Sequence, residues 1–489
     1  MQKWKCLIIL ILTPFCVKSQ QISLTHSNTQ YDAFENPVQT GFVKEQSRKY
    51  AITLFPSIDG FIYFKGASET ALKKLLFTRI IPSNGYGEIG SGNTNQVDFK
   101  ANVYLFNYRI YKTVNYNREL GFSLQFRNDG QAFVTNETLS AFNSINQFNK
   151  TKYVDIFNSK GFNQSFYQLS ATYRENYNDM WGFGAKISLL NGATYSKINI
   201  NSSSLQVNND NSVDASFIGN YSSSFGTDSF TYKKLLPNLK NMGAALSGGV
   251  SYTHPKGLYV TFNIRDLGFI RWSKNTSRYY DFNGNVRVEN VNNPNASNQF
   301  SERFGDVLTN TVNNKRFTTT IDTKIILAAS KNYGFYTPVF VFSKSAFRND
   351  GQIGLLNNFR KNAFNLGLNP IYDFQTKLNF GTQLLVKSPN AEFFLGSEQL
   401  FPTYYLAKGY IQNNENLGKP QPRADFYMGL TMKFGNKMQN IGNADEIPGL
   451  NDKETGFVVR LSNKERKALQ KKNKGINKRR NKNNKRNGF

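Results

Sequence analysis

The sequence predicts an all-β fold, a transmembrane antiparallel β-barrel of about fourteen strands with long extracellular loops. Three features of the chain point to this fold. Apolar and polar residues alternate over strand-length segments, short and long connections alternate between those segments, and no run after residue 19 reaches the 18 or more apolar residues of a transmembrane helix. Outer-membrane barrels combine these features, because tight turns join their strands on one side and long loops on the other.

The alternation is clearest in the last strand, Asp425–Gly435. Its alternate residues Phe426, Met428, Leu430, Met432 and Phe434 are all apolar. Successive side chains of a strand point to opposite faces, so this segment has one oily face and one wet face. Its length is about that of a tilted strand that crosses a bilayer. A half-buried strand of a soluble sandwich shows the same alternation, so this strand alone leaves both folds open.

Thirteen further segments carry the pattern and complete a barrel over residues 48–435. The first, Arg48–Phe64, is a long strand bent around Pro56–Gly60, and a short helix is expected to follow at Ser68–Phe77. The other predicted strands are Tyr104–Ile110, Leu120–Phe126, Tyr167–Tyr173, Trp181–Leu189, Met242–Tyr252, Leu258–Ile264, Phe317–Ala329, Tyr333–Ser343, Phe364–Tyr372, Phe374–Val386, Glu392–Gly396 and Thr403–Ile411.

The connections favour a barrel over a sandwich, because the long ones all open on one side. The short connections are Lys112–Glu119, Glu175–Asp179, Thr253–Gly257, Ser330–Asn332 and Asp373. The long ones are Asn128–Asn163, Asn191–Asn241, Asp266–Arg316 and Lys344–Asn362. One link breaks the rule: Lys387–Ala391 is short where a long one is due.

The N-terminus predicts export. Residues 1–19 combine two lysines within Met1–Lys5, the apolar run Cys6–Val17 and the small residues Val17 and Ser19 for cleavage, which is typical of a secretory signal peptide. A membrane anchor is the alternative, but this run is short for one. Both cysteines, Cys6 and Cys16, leave with the signal, so the mature chain would have no disulfide and no cysteine ligand or nucleophile.

Residues 20–47 form either a periplasmic lead-in or a small plug inside the barrel mouth. This stretch is polar, does not alternate for long and contains the turn signal Asn36-Pro37. Asp32, Asn36 and Pro37 are the candidate plug residues.

Positive charge is concentrated in the predicted periplasmic tail, residues 436–489. The formal net charge of the chain is +27, and Lys464–Phe489 holds twelve Lys and Arg residues against one acid. Such charge often indicates nucleic acid, but an exported protein seldom meets it, so we predict no nucleic-acid partner. Anionic headgroups, an acidic envelope protein or the cell wall are the candidate partners, and a solvated end without a partner is the alternative. The basic residues singled out are Lys471, Lys472, Arg479 and Arg480.

Catalysis, metal binding and cofactors gain no support from the sequence. The two histidines, His26 and His254, lie in the lead-in and in a tight turn, without the Ser or Asp partners of a catalytic constellation. No grouping of metal ligands occurs, and Asn208–Asp214 lacks the glycine and distal glutamate of a calcium loop. The protein is predicted not to be an enzyme.

The most site-like cluster is Arg265, Asp266, Arg271 and Trp272, where a predicted strand leaves the membrane. One interpretation is a ligand or partner contact at the barrel rim. The favoured one is an interfacial girdle, with Trp272 at headgroup depth and Arg271 near lipopolysaccharide phosphates.

Two segments, Tyr31–Gly60 and Asp266–Trp272, resemble an uncharacterised outer-membrane barrel family of Bacteroidetes, and the likeness spans most of residues 30–434. That family resembles the fatty-acid-transporter barrels, and early Asn-Pro motifs also occur in barrels attached to gliding and type IX secretion machinery. The resemblance implies a barrel in the outer membrane and brings no activity or catalytic residue. It does not extend to the basic tail.

Three functions therefore compete. The first is passage or binding of a small, apolar compound, with the lead-in plugging the lumen. The second is a structural or accessory role in an envelope machine such as a secretion or gliding apparatus. The third and weakest is that of an exported soluble β protein or adhesin.

Overall fold

The computed structural model describes residues 22–41, 48–78, 85–112, 118–225, 235–237, 239–309, 312–414, 416–417, 422–437 and 471. The chain divides into two units, residues 1–438 and 439–489. The predicted signal peptide lies outside the described residues. So does the predicted tail, apart from Asn436 and Lys437 at the end of the last strand and Lys471, an exposed helical residue.

The described residues form nineteen strands, numbered here in chain order. These are β1 Arg48–Lys65, β2 Thr94–Lys112, β3 Arg118–Thr135, β4 Lys152–Val154, β5 Lys160–Asn176, β6 Trp181–Val207, β7 Val213–Ser223, β8 Met242–Thr253, β9 Leu258–Trp272, β10 Arg278–Val288, β11 Val312–Asn313, β12 Phe317–Thr320, β13 Lys324–Lys331, β14 Tyr336–Ser345, β15 Gly351–Lys361, β16 Phe364–Asp373, β17 Lys377–Lys387, β18 Ala391–Ser397 and β19 Arg423–Lys437.

Fourteen of these strands close into an antiparallel barrel, as the sequence predicts. The ring runs β1-β2-β3-β5-β6-β8-β9-β13-β14-β15-β16-β17-β18-β19, and β19 pairs back onto β1. Closure removes the free edges that a flat sheet would expose. A single closed sheet is not a two-sheet sandwich, so the sandwich alternative is wrong.

The count of fourteen is right through two errors that cancel. Thr403–Ile411, predicted as a strand, belongs to the helix Leu400–Ile411, and the predicted loop Lys344–Asn362 contains β15. The β15 sequence GQIGLLNNFRK is rich in Gly and Asn, which normally indicates a loop. Here β14 and β16 pair with it on both sides and satisfy its backbone.

Adding β15 also restores the alternation of connections. We call the end with the long connections the loop end and the opposite one the turn end. The short turn after Asp373 lies at the loop end, contrary to the prediction, and the link between β17 and β18 lies at the turn end, where a short one belongs. The long bent first strand is confirmed, with register shifts between Thr53 and Phe55 and between Phe55 and Ile58.

Apolar side chains face out of the barrel and polar ones face in. Ile187 on β6 and Phe262 on β9 are 65% and 41% exposed, whereas their neighbours Ser188 and Thr261 are buried. Long apolar surface turned outward around a polar interior is the arrangement of a membrane barrel. Among the described helices, none has the length and apolar character needed to cross a bilayer.

This placement predicts opposite outcomes for neighbouring arginine substitutions. Arg at Leu124, Ile187 or Phe262 should destabilise the folded barrel by about 2–4 kcal/mol near the membrane midplane, because the charge enters hydrocarbon. Arg at Ser123, Ser188 or Thr261 meets the polar lumen and should cost far less. Urea unfolding in lipid vesicles measures the difference, and equal costs on both faces would contradict the assignment.

The long connections fold into a cap of their own at the loop end. The helices of the described residues are α1 Gln30–Glu35, α2 Glu69–Thr78, α3 Asn136–Ala141, α4 Ala296–Thr309 and α5 Leu400–Ile411, with a 3-10 turn at Ile145–Gln147. The predicted helix at Ser68–Phe77 corresponds to α2. Phe157, Phe217 and Phe300 pack at the centre of a hydrophobic core that α3, α4, β7 and β10 share with the extended end of β6. The described parts of these long loops are therefore folded and not merely solvated chain.

Candidate functional site

Residues 22–41, called here the lumen segment, lie inside the barrel. Its helix α1 is buried along its whole length and is capped at the N-terminus by Thr29, whose hydroxyl accepts a hydrogen bond from the backbone N–H of Asp32. Barrel arginines hold its backbone: Arg109 donates to the carbonyl of Ala33 (2.7 Å) and Arg174 to that of Val38 (2.8 Å). The lumen is thus occupied in part by a segment of the same chain.

The three candidate plug residues all belong to the lumen segment. Asn36 caps the C-terminus of α1, and its side-chain amide donates to the Asp32 carboxylate over 2.8 Å. The Pro37 carbonyl lies against Gly184 on β6, where a Cβ atom would overlap it. Because glycine has no Cβ atom, the lumen segment can pack directly against the barrel wall at position 184.

Glu35, at the end of α1, is the charged anchor of the lumen segment. Its carboxylate is paired with the Arg265 guanidinium and accepts hydrogen bonds from the Tyr104 hydroxyl (2.6 Å) and the Asn102 side-chain amide (2.9 Å). Burial alone would raise the pKa of Glu35, but Arg265, Lys186 and Arg127 outweigh it and lower the pKa to about 2. Glu35 is therefore charged at neutral pH.

A β-bulge places Arg265 and Asp266 side by side in the lumen. Leu246 pairs with Leu267 and Gly248 pairs with Ile264. Between these pairs, Arg265 and Asp266 of β9 both oppose the single residue Ser247 of β8. Asp266 has a φ of +56°, a conformation that Asp tolerates better than most residues. The bulge interrupts the in-out alternation and brings two consecutive charged side chains into the interior.

Asp266 contacts three of the buried cations of the lumen. Its carboxylate lies 2.6 Å from the Arg127 guanidinium and 3.0 Å from the Lys186 ammonium, and it accepts from the Gln168 amide over 3.0 Å. With Glu35 and Arg265 these residues form what we call the charge cluster: Glu35, Arg127, Lys186, Arg265 and Asp266. It holds three cations and two acids, and every member is buried.

The structure separates the four predicted rim residues. Arg265 and Asp266 lie in the lumen opposite the middle of β8, and not at the rim. Trp272 is buried as well: its indole N–H donates to the Thr319 hydroxyl (2.9 Å), and its ring packs on Tyr195. The girdle interpretation is therefore wrong for Trp272. Arg271, by contrast, is exposed.

Glu35, Arg127 and Lys186 were not among the candidate site residues that the sequence pattern indicated. Glu35 lies in the polar lead-in, which does not alternate for long, whereas Lys186 occupies a polar position of the predicted strand Trp181–Leu189 and Arg127 continues the polar positions of Leu120–Phe126. That signal marks Arg127 and Lys186 as facing inward. It does not indicate that they meet, because the partners lie far apart in the chain.

A second anchor holds the far end of the lumen segment. The Glu119 carboxylate on β3 accepts hydrogen bonds from the Gly41 backbone N–H (3.1 Å) and the Thr40 hydroxyl, and it pairs with Arg109 over 2.7 Å. Glu119 lies at the turn end of the barrel, close to the start of β3. Glu119 is therefore one of the barrel carboxylates that hold the lumen segment.

The two histidines have unlike surroundings. His26 lies in the lumen segment between the hydroxyls of Ser330 (2.8 Å) and Thr261 (3.0 Å), and burial lowers its pKa to about 3, so it is neutral. His254 is a turn residue whose ring accepts the backbone N–H of Lys256 (3.1 Å). Within the described part of the chain, no group of three or more His, Cys, Asp or Glu is placed to hold a metal ion.

Asp32 should make the lumen segment sensitive to pH. Burial raises the pKa of this carboxyl to about 7, although the hydrogen bond from Asn36 lowers it. The Oδ2 atom of Asp32 is buried and has no hydrogen-bond partner. A raised acid pKa means that the folded state holds the proton more tightly than the unfolded state, so stability falls as pH rises from about 4 to about 7. Hydrogen exchange of residues 29–36, corrected for intrinsic rates, should therefore increase between pH 5 and pH 8.

Asp32→Asn is the matched variant for this prediction, because it keeps the shape and removes the titration. Its corrected exchange should be nearly the same at both pH values. An equal pH response in both proteins would assign the effect to another group.

A vestibule of about 940 Å³ opens at the loop end of the barrel. Its lining contains five cations and five aromatic rings, and no acid: Lys65, Lys160, Lys197, Arg348, Lys377, Phe133, Phe162, Tyr195, Phe347 and Phe374. Cations and rings also contact one another, since Lys160 lies over Phe133 (5.5 Å) and Arg348 over Phe162 (4.8 Å). Such a lining can hold an apolar body and an anionic group together.

Comparison with known proteins places the chain in a family. A family model described as "Family of unknown function (DUF5723)" matches residues 57–398, more than half of the chain. The chain belongs to this family. No curated protein matches it.

Solved barrels are similar to the chain at low identity. The toluene transporter TbuX of Ralstonia pickettii is 8% identical over 83% of this chain and 94% of that chain, with a TM-score of 0.38. The toluene transporter TodX of Pseudomonas putida is 7% identical over 86% and 94%, with a TM-score of 0.38. A Pseudomonas aeruginosa FadL homologue is 9% identical over 84% and 95%, with a TM-score of 0.39. No residue of the site is carried over from these proteins.

Proposed function

We propose that this protein is an outer-membrane barrel that binds a small compound with an apolar body and an anionic group, and passes it through the lumen. The vestibule carries the proposal, because its rings and cations offer both kinds of contact at the loop end of the barrel. An excess of positive charge also concentrates anionic solutes at an entrance, although Arg348 is paired with Asp129. Passage would require the lumen segment to move, since it occupies part of the interior.

Ligand binding tests the proposal. The purified full chain in detergent should bind 1-naphthoate, whose fluorescence reports binding, and Lys160→Gln together with Lys197→Gln should weaken it by about tenfold, roughly 1.4 kcal/mol. Phe133→Ala should weaken the binding of both naphthoate and neutral naphthalene. Lys256→Gln, in a turn at the opposite end, is the control and should change nothing. Absence of binding, or binding indifferent to the vestibule residues, would refute the proposal.

Outer-membrane location with the loop end outside is part of the proposal, and Arg271 is then a candidate contact for lipopolysaccharide phosphates. Single cysteines can test it, because the only native cysteines, Cys6 and Cys16, fall in the predicted signal peptide. An impermeant thiol label applied to whole cells should reach cysteines placed at Asn211 and Asn292. It should not reach one at Asn332, in a turn-end connection; the opposite pattern would reverse the topology.

A role as an accessory partner of an envelope machine is the second candidate. The folded cap favours it, because a pore alone does not need a separate hydrophobic core at its loop end. The basic tail would supply a periplasmic contact with an acidic partner, and screening at 1 M salt, where the Debye length is about 3 Å, should dissociate it. Deleting residues 464–489 should leave barrel assembly intact and remove a salt-sensitive copurifying protein. Loss of the folded barrel, or unchanged partners at low salt, would count against this role.

A further inference from the structure

The Glu35 carboxylate occupies a pocket whose donors all belong to the barrel wall. Arg265 on β9 pairs with one carboxylate oxygen, while the Tyr104 hydroxyl and the Asn102 amide on β2 donate to the other over 2.6 and 2.9 Å. Three convergent donors on two oxygens form a carboxylate-binding arrangement. The group that fills it comes from the lumen segment, a part of the chain outside the barrel ring.

The surrounding charges require an anion in this pocket. With Glu35 in place, the charge cluster has three cations against two acids; without it, Asp266 alone would face Arg127, Lys186 and Arg265. The three cations and Asp266 are all less than 10% exposed. Buried charges without compensation are strongly unfavourable. Glu35 therefore cannot leave readily unless another anion takes its position.

We propose that this pocket is a carboxylate-binding site of the lumen and that Glu35 fills it as an internal stand-in for the carboxylate of the compound. The inference rests on the proposed function and specifies the class of compound. A compound with a carboxylate displaces Glu35 and thereby releases α1. A neutral compound of the same size would leave the charges of the cations uncompensated. The barrel would thereby select carboxylates over neutral hydrocarbons. The cationic vestibule would concentrate the same class of solute at the loop end.

Glu35→Gln tests the inference directly, because it keeps the side-chain shape and removes the competing charge. The probes are 4-phenylbutyrate and its neutral amide, titrated into the full chain in detergent. Removing an internal competitor raises apparent affinity, so the variant should bind the carboxylate about tenfold more tightly and the amide no more than about twofold. Arg265→Gln added to Glu35→Gln should abolish the gain.

Glu119→Gln is the matched control. It also removes a carboxylate that anchors the lumen segment, but that carboxylate is paired with Arg109 and is not a member of the charge cluster. If loosening the lumen segment were sufficient, Glu119→Gln would improve binding of the carboxylate as much as Glu35→Gln does. An equal gain for both probes in Glu35→Gln, or no gain for the carboxylate, would overturn the inference.

Tyr104→Phe is a second variant that leaves the charge of the cluster intact. Added to Glu35→Gln, it removes one donor and should lower the carboxylate preference; used alone, it keeps the inference testable if Glu35→Gln does not fold. In that case Tyr104→Phe should reduce the ratio of carboxylate to amide affinity, and an unchanged ratio would count against the pocket.

The failure of the inference can be told apart from that of the proposed function. If both probes bind and Lys160→Gln weakens the carboxylate while Glu35→Gln changes nothing, only the carboxylate pocket is refuted. If neither probe binds to the native protein or to any variant, the proposed function fails as well.

Discussion

Deletion of residues 22–41 should convert the filled barrel into an open pore. The segment occupies the lumen of a fourteen-strand ring and is held by hydrogen bonds to strands around its circumference, among them β2, β3, β5 and β9. Barrels of this size have an interior wider than side chains alone can fill. Swelling of proteoliposomes in a small neutral sugar should therefore accelerate by at least about tenfold over the native protein, since polar lumen walls readily admit water.

A single substitution should also increase the permeability of the barrel, but to a smaller extent than the deletion. Gly184→Ala places a Cβ where the Pro37 carbonyl lies, so the lumen segment must shift, and swelling should rise partway toward the deletion. Gly248→Ala is the control, because the nearest atom to its Cβ, the Gly184 carbonyl oxygen, is 3.6 Å away. Swelling rates equal to native in both the deletion and Gly184→Ala would mean that another element closes the barrel.

The barrel could be predicted because its signal is local. Period-two alternation within single segments, such as Tyr167–Tyr173 or Trp181–Leu189, determines which residues face lipid, and both segments are strands of the ring. The errors arose where local signal and context disagree. Gly351–Lys361 has the composition of a loop but finds pairing partners on both sides, and Thr403–Ile411, which alternates like a strand, belongs to the helix Leu400–Ile411.

The site could be predicted only in part, because it is built from long-range contacts. Arg265 and Asp266 stood out in the sequence as charged neighbours. Both side chains enter the lumen because of a bulge opposite Ser247, and no sequence pattern predicts that bulge. Glu35 and Arg265 are separated by 230 positions. Such a pairing depends on strand order and register around the closed ring, which alternation alone does not specify.

Asp266→Asn should be the most destabilising conservative substitution in the lumen. Asp266 is fully buried and faces three cations, and removing one partner from a buried ionic group typically costs about 3–5 kcal/mol because the remaining charges stay unpaired. Asparagine tolerates a positive φ and matches the shape of aspartate, so the backbone at φ +56° and the hydrogen bond between its N–H and Ser247 (2.8 Å) should survive. The expected loss therefore comes from the removed charge and from the accepting oxygen that the asparagine amide nitrogen replaces.

Guanidinium unfolding in detergent, followed by tryptophan fluorescence, measures this loss. Asp214→Asn is the control: Asp214 also pairs with an arginine, Arg287 (3.1 Å), but both side chains are more than 40% exposed, and exposed pairs contribute only about 0–1 kcal/mol. A loss at Asp266 no larger than that at Asp214 would mean that water reaches the charge cluster and screens it. In that case the cations would not require Glu35 as a counterion, and the carboxylate pocket would lose its electrostatic basis.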